Sequence, residues 1–250
     1  MLVYRVNFIL WRVRTVLQFL MVYFVWWTVF QSQTQIFGYT EQAMLTYIVV
    51  SALVRAIILS SRVMDVGGQI NEGNVVNFLI KPLDFIWFYF IRDLSDKALN
   101  ISFVIFEIAA IIFLLQPNIM FQTDLLTLSL FVLAVLLGII LYFALSFTFG
   151  LLAFWLENIW GIYFLFFMLI EALGGALFPI DILPKTVANI VLLTPFPYLL
   201  YFPAKIYLGQ LNYTQLISGF AILIFWVLIF WVLMKTTLKA GLKTYTAVGH

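Results

Sequence analysis

Apolar residues in this chain run in long, nearly uninterrupted blocks, and the polar residues gather between them. A membrane-crossing helix needs roughly 20 mostly apolar residues, because each adds about 1.5 Å across a hydrocarbon core about 30 Å thick. Six blocks qualify: residues 8–30, 43–61, 98–115, 125–154, 161–178 and 216–234. The pattern predicts an all-α integral membrane protein, a single domain over residues 1–250 with six transmembrane helices. The N-terminal block follows a basic start, as a signal peptide does. It is too long for one, however, carries Trp26 and Trp27, and lacks a small-residue cleavage site, so it reads as a retained first helix.

Lysine and arginine give the orientation, since cytosolic loops retain positive charge during insertion. With the N-terminus inside, Arg5, Arg12, Arg14, Arg55, Arg62, Lys81, Arg92, Lys97, Lys235, Lys239 and Lys243 fall on the cytosolic side or at inner helix ends. Only Lys185 and Lys205 are left outside. Both termini are then cytosolic. Trp11, Trp155, Trp160 and Trp231 sit near the inner interface, Trp26 and Trp27 near the outer one, as aromatic belts do.

Two connections are too long for turns. Residues 62–97 form an inner loop punctuated by Gly67, Gly68, Gly73 and Pro82. Within it Ile70, Val75 or Val76, and Leu79 fall at helical spacing, with Asn74 and Asn77 on another face. This predicts a short amphipathic helix along the membrane, stopped near Pro82. Residues 179–210 carry five of the seven prolines, Pro179, Pro184, Pro195, Pro197 and Pro203. They are apolar but too broken to span, and predict a re-entrant or interfacial hairpin on the outer side.

Composition sharpens this reading. Of the 250 residues 65% are apolar and 10% charged, with mean hydropathy +1.11, far beyond what a soluble domain could bury. No cysteine is present, and the only histidine is His250, so thiolate metal sites are excluded and the usual imidazole base is effectively missing. There is no G-x-x-x-x-G-K-[ST] phosphate loop, no H-E-x-x-H zinc motif and no G-x-S-x-G elbow. The chain predicts neither a catalytic centre nor a metal site of its own. An energy source must be an ion gradient or a separate subunit.

Three ionisable residues fall within the predicted spans, where a charge costs about 2.5 to 3.5 kcal/mol at the helix centre. Arg55 is in the inner third of the second helix, and its long stem allows the guanidinium to snorkel to the headgroups. Glu107, near mid-depth in the third, has three ways to be accommodated: protonation, a hydrogen bond across helices, or a pair with Arg55. Glu171 precedes Gly174 and Gly175 in the fifth, small residues that permit close helix approach or line a pathway. These five are the candidate translocation-pathway residues.

Gly73 to Leu83, a glycine, an apolar stretch and then Leu-x-Lys-Pro-Leu, resembles the inner loop of the ABC type 2 permeases, the membrane subunits of ATP-binding-cassette exporters. A second match runs Gly174-Gly175-Ala176-Leu177-Phe178-Pro179-Ile180-Asp181-Ile182-Leu183-Pro184, then Leu193-Thr194-Pro195-Phe196-Pro197-Tyr198 and Tyr201-Phe202-Pro203. It is similar to the family's small-x-x-Phe-Pro-x-x-x-Leu-Pro stretch and outer hairpin. The resemblance covers essentially the whole chain, and among the branches it is nearest the multidrug and natural-product exporters. Lys81 stands where arginine is commoner, and Glu171 belongs to no pattern of the family.

The resemblance implies a multi-pass permease in the cell (inner or plasma) membrane, surrounded by lipid and without nucleic-acid partners. It would dimerise with an identical or related permease, each copy docking a cytosolic ATPase that binds ATP and Mg. Gln69, Ile70, Glu72, Gly73, Asn74, Asn77, Leu79, Lys81 and Pro82 would form the coupling helix seated in the ATPase. The cargo implied is an amphipathic or lipid-like solute such as a drug or natural product, moved outward. The competing reading is a gradient-driven secondary transporter or channel that uses Glu107 and Glu171 as ion sites. A lipid-modifying membrane enzyme is a third, against which the lack of a clustered polar site argues.

Overall fold

A computed structural model describes residues 2–79 and 84–245. Ile80, Lys81, Pro82 and Leu83, with which the expected amphipathic helix was to end, lie outside the described residues, as do His250 and the side chains of residues 2–9, Trp11 and Leu79. Among the described residues five helices are long and apolar enough to cross a bilayer: α1 (Leu2–Phe30), α2 (Glu41–Ile58), α5 (Phe85–Leu115), α6 (Leu125–Leu151) and α10 (Tyr213–Thr244). A sixth apolar helix, α7 (Trp160–Leu173), has 14 residues, which is about 21 Å at 1.5 Å per residue. Short helices α3 (Val66–Asn71), α4 (Val76–Leu79), α8 (Lys185–Leu192) and α9 (Tyr201–Tyr207) fill the connections.

The helices start where polar residues cap them. Thr40, Asp84 and Asp124 open α2, α5 and α6, each accepting the backbone N–H three residues on. Asn212 and Gln215 form a reciprocal capping box at α10. Between α1 and α2 the strands β1 (Gln35–Ile36) and β2 (Tyr39–Thr40) pair antiparallel. Phe37 and Gly38 turn the chain at φ 52° and 82°, the double positive φ that tight hairpins favour.

Three boundaries correct the sequence reading. The third span begins at Phe85 and not at Ala98, so Arg92, Asp93, Asp96 and Lys97 are helical. Charge density made this stretch look like loop, yet Asp93 and Lys97, one turn apart, neutralise each other on a buried face. The fifth helix stops at Leu173 instead of Phe178, because Gly174 caps it and Gly175 turns the chain at φ 82°. The sixth continues to Thr244, carrying Lys235, Lys239 and Lys243 on the helix.

The core is organised by α2 and α6, of which 67% and 50% of the apolar window is buried. In α1, α5 and α10 the figures are 11%, 6% and 11%. These three therefore form the periphery, and their exposed Phe106, Phe113, Leu114 and Leu228 need an apolar surround. Two apolar clusters result. One joins Met44, Tyr47, Leu141, Ile170 and Tyr198 through Phe202. The other gathers Val66, Ile70, Val75, Phe85, Tyr89, Phe143 and Phe147 around the C-terminal end of α6.

Candidate functional site

Arg55 is turned onto a partner within the protein. Helical side chains lean toward their own N-terminus, and the N-terminal half of α2 lies beside the end of α7, where the Tyr47 hydroxyl donates to the Gly175 carbonyl at 2.6 Å. That lean carries the guanidinium to Glu171. Nη1 donates to Oε2 at 2.9 Å, and Nη2 pairs with Oε1, a two-armed arrangement matched to the planar fork of arginine. Both side chains are largely buried, at 18% and 14% exposed. The Arg55 group also lies 6.0 Å from the Phe167 ring centre.

The Arg55 to Glu107 pair raised by the sequence does not form. Glu107 on α5 meets Arg12 of α1 at 3.3 Å, and Arg12 also donates to Asn100 at 2.8 Å. Arg55 is already engaged by Glu171, and Arg12 supplies Glu107 with its cation. The three charges singled out from the sequence, Arg55, Glu107 and Glu171, thus close into two pairs, one joining α2 to α7 and one joining α1 to α5.

Beside the first pair is a cavity of about 50 Å³ between α1, α2 and the chain after α7. Its polar lining is Thr15, Gln18, Ser51 and Arg55; Phe19, Val22, Ile48, Ala52, Ala176 and Leu177 complete it. Residues 15, 18, 19 and 22 share one face of α1, and 48, 51, 52 and 55 one face of α2, so two helical stripes meet across it. Gly174 and Gly175 are not among the lining residues. They fold the chain so that Ala176 and Leu177 are. A methyl group on Gly175 would lie 2.7 Å from the Tyr47 hydroxyl and 2.9 Å from Cβ of Tyr201.

The inner loop is built differently from the single amphipathic helix expected. The helix from Val66 ends at Asn71, Gly73 turns at φ 75°, and α4 restarts at Val76. A positive φ at Gly73 interrupts the helical hydrogen bonding, which periodicity alone cannot reveal. The apolar side still points inward, with Ile70 and Val75 buried, while Glu72 and Asn77 are exposed and Gln69, Gly73 and Asn74 intermediate. The loop is anchored at both ends. Asn71 donates to the Glu157 carbonyl at 2.7 Å, Tyr163 donates to the Met64 carbonyl, and Phe78 packs on Phe85, Phe88 and Tyr89. Asn74 donates to Glu72 at 2.7 Å across the turn.

Two polar clusters escaped the sequence reading. Lys97, 2% exposed, bonds Asp93 at 3.1 Å and the Ser60 carbonyl at 3.2 Å, locking α5 to the end of α2. Arg62 with Asp96 and Arg92 with Asp65 extend that contact at 2.9 and 3.5 Å. The i,i+4 spacing of Asp93 and Lys97 was the available signal. On the outer segment Lys205, placed outside on charge bias, is buried and donates to Tyr39 at 2.8 Å, Asp181 at 2.9 Å and Gln210 at 2.6 Å. Burial pushes the Lys205 amine below its ordinary value against the opposing pull of Asp181, and burial pushes the Tyr39 hydroxyl up, with Asp181 adding to it. No local sequence signal joins these residues, which are 142 and 166 positions apart.

Long apolar helices, internally paired intramembrane charges and an anchored polar loop define a multi-pass α-helical membrane protein. Among the described residues no group of acidic, histidine or cysteine side chains is arranged to hold a metal ion. A family model described as ABC-2 family transporter protein matches residues 16–249, and the chain belongs to that family. Comparison with curated proteins and with solved structures gives no match. At the level of the family the chain is a membrane permease of the ATP-binding-cassette exporter type, and that membership implies partnership with an ABC ATPase.

Proposed function

We propose that this chain is the permease subunit of an exporter for amphipathic or lipid-like solutes, a drug or natural product among them, driven by ATP and Mg bound on a separate ATPase subunit. The observation that carries the reading is family membership over nearly the whole chain. In this reading the helices cross six times with both termini cytosolic. At about 21 Å, α7 is too short for a core about 30 Å thick, and residues 174–183 with the α8–α9 hairpin complete its crossing on the outer side. Two permeases, identical or related, enclose the path. Arg55, Glu107, Glu171, Gly174 and Gly175 lie on it or support it.

The ATPase contact is assigned to α3 and α4. Its exposed face bears Glu72 and Asn77, flanked by Gln69, Gly73 and Asn74, and Lys81 and Pro82, outside the described residues, are assigned to the same contact. Ile70 belongs to its buried side, and Leu79 closes α4. ATP-driven closure of the ATPases would move these loops together. Through the anchors at Glu157, Met64 and Phe85, the movement would reach α5, α6 and α7 and switch access from inside to outside.

The test is co-purification with the ABC ATPases of the same cell, each co-expressed with this chain, comparing the parent with a Glu72→Lys and Asn77→Lys double variant. Neither side chain is buried, so folding should survive. Co-elution lost only in the variant supports the assignment. No association in any nucleotide state would overturn it and favour the gradient-driven reading.

A further inference from the structure

Arg55 is the one residue of the α2–α7 ion pair that also borders the cavity. A guanidinium presents five N–H donors in a plane, and Glu171 takes two of them. The lining grades from polar to apolar: Thr15, Gln18 and Ser51 share it with Arg55, and Phe19, Val22, Ile48 and Leu177 supply hydrocarbon. A charged head beside a greasy wall is the shape of an amphiphile's own boundary. The sign is set by arginine, which cannot deprotonate and whose fork fits two equivalent oxygens.

We propose that this cavity recognises amphiphiles with a carboxylate-type oxyanion head, and that Glu171 is the built-in occupant which such a head displaces from Arg55. At about 50 Å³ the space holds a few waters while the pair is closed. A second oxyanion beside Glu171 would also face like-charge repulsion in a poorly hydrated site. Entry therefore requires the carboxylate to swing away. Glu171 is in the last turn of α7, three residues before Gly174, so its departure removes one of the ties between this helix end and α2 and leaves the Tyr47 hydroxyl on the Gly175 carbonyl as another. Binding of the head would thus loosen α7 on α2, the link a transport cycle needs. This deepens the exporter reading, and rests on it only in calling the amphiphile a cargo.

Trp26 gives a native reporter, because its indole N–H donates to the carbonyl of Leu177 at 2.9 Å on the cavity wall. The full chain in phosphatidylcholine nanodiscs is titrated at mildly alkaline pH with dodecanoate, and with dodecanol and dodecylamine as matched probes. The chain has eight tryptophans, so Trp26→Phe identifies the reporter's share. Dodecanoate should change the Trp26 emission saturably and the other two should not. Arg55→Gln should weaken binding about tenfold or more, the value of a charge-assisted pair.

Glu171→Gln should bind dodecanoate more tightly than the parent. It should also unfold at a lower temperature, and dodecanoate should restore that loss. If Arg55→Gln fails to fold, the Arg55→Gln and Glu171→Gln double variant, which isolates no buried charge, replaces it and should not respond to dodecanoate. Adding phosphatidylglycerol to the discs tells the source of the head. If it blocks dodecanoate the natural occupant is an anionic lipid, and if it does not the site is open to a free amphiphile; either result supports the site. Equal responses to dodecanoate and dodecanol, unchanged by Arg55→Gln, overturn the proposal, as does a Glu171→Gln variant that dodecanoate fails to restabilise. Neither result depends on the ATPase, so failure here leaves the co-purification test standing.

Discussion

Gly175 and Gly38 share a backbone angle, φ 82°, but not an environment, which allows backbone strain and packing to be separated by experiment. A methyl group on Gly38 meets nothing within 4 Å. On Gly175 it comes within 2.7 Å of the Tyr47 hydroxyl and 2.9 Å of Cβ of Tyr201. Tyr47 is completely buried and its hydroxyl is committed to the Gly175 carbonyl, so it has nowhere to retreat. Gly38→Ala should cost about 1 to 2 kcal/mol, the price of a left-handed alanine. Gly175→Ala should cost that plus about 1 to 3 kcal/mol of overpacking. Gly68 in α3 provides the opposite sign, since its methyl also meets nothing, its φ is ordinary, and alanine favours helix by up to about 1 kcal/mol. Denaturant titration of the three variants in one detergent should place their midpoints in the order Gly68→Ala, parent, Gly38→Ala, Gly175→Ala. Equal losses at Gly38 and Gly175 would refute the close approach of the α7 turn to Tyr47 and Tyr201.

Lys97→Met should destabilise by about 3 to 5 kcal/mol, because it strands the buried Asp93 carboxylate. Adding Asp93→Leu should recover much of the loss, as chemical denaturation of the pair of variants would show. Lys205 carries a lowered folded pKa. Between that value and the ordinary one near 10.4 the unfolded chain binds the proton more tightly, so this group makes stability rise with pH across that window. Tyr39, whose folded value is raised, acts oppositely once pH passes about 10. Thermal midpoints followed from neutral to about pH 10 should therefore lose an upward slope in Lys205→Met. Asn212→Ala should cost about 1 kcal/mol by removing the capping box of α10, read as a modest fall in the same midpoint.

Hydropathy was sufficient to find every long apolar helix, because the bilayer requirement for internally satisfied backbone leaves the chain few alternatives. It also placed the buried side of the inner loop correctly through Ile70 and Val75. It failed at the start of α5, where Asp93 and Lys97 look solvated along the chain but neutralise each other one helical turn apart. It failed as well at Gly73 and Gly175, where one positive φ redirects a segment without altering its composition. The three intramembrane charges were visible as unusual from sequence, but their partners were not. Arg55 meets Glu171 across 116 residues and Glu107 meets Arg12 across 95, and no rule of local spacing reaches so far. The same holds for Tyr39, Asp181 and Lys205. Periodicity reports how each helix faces its surroundings, whereas the pairing of charges depends on which helices become neighbours, and that is settled by packing around α2 and α6.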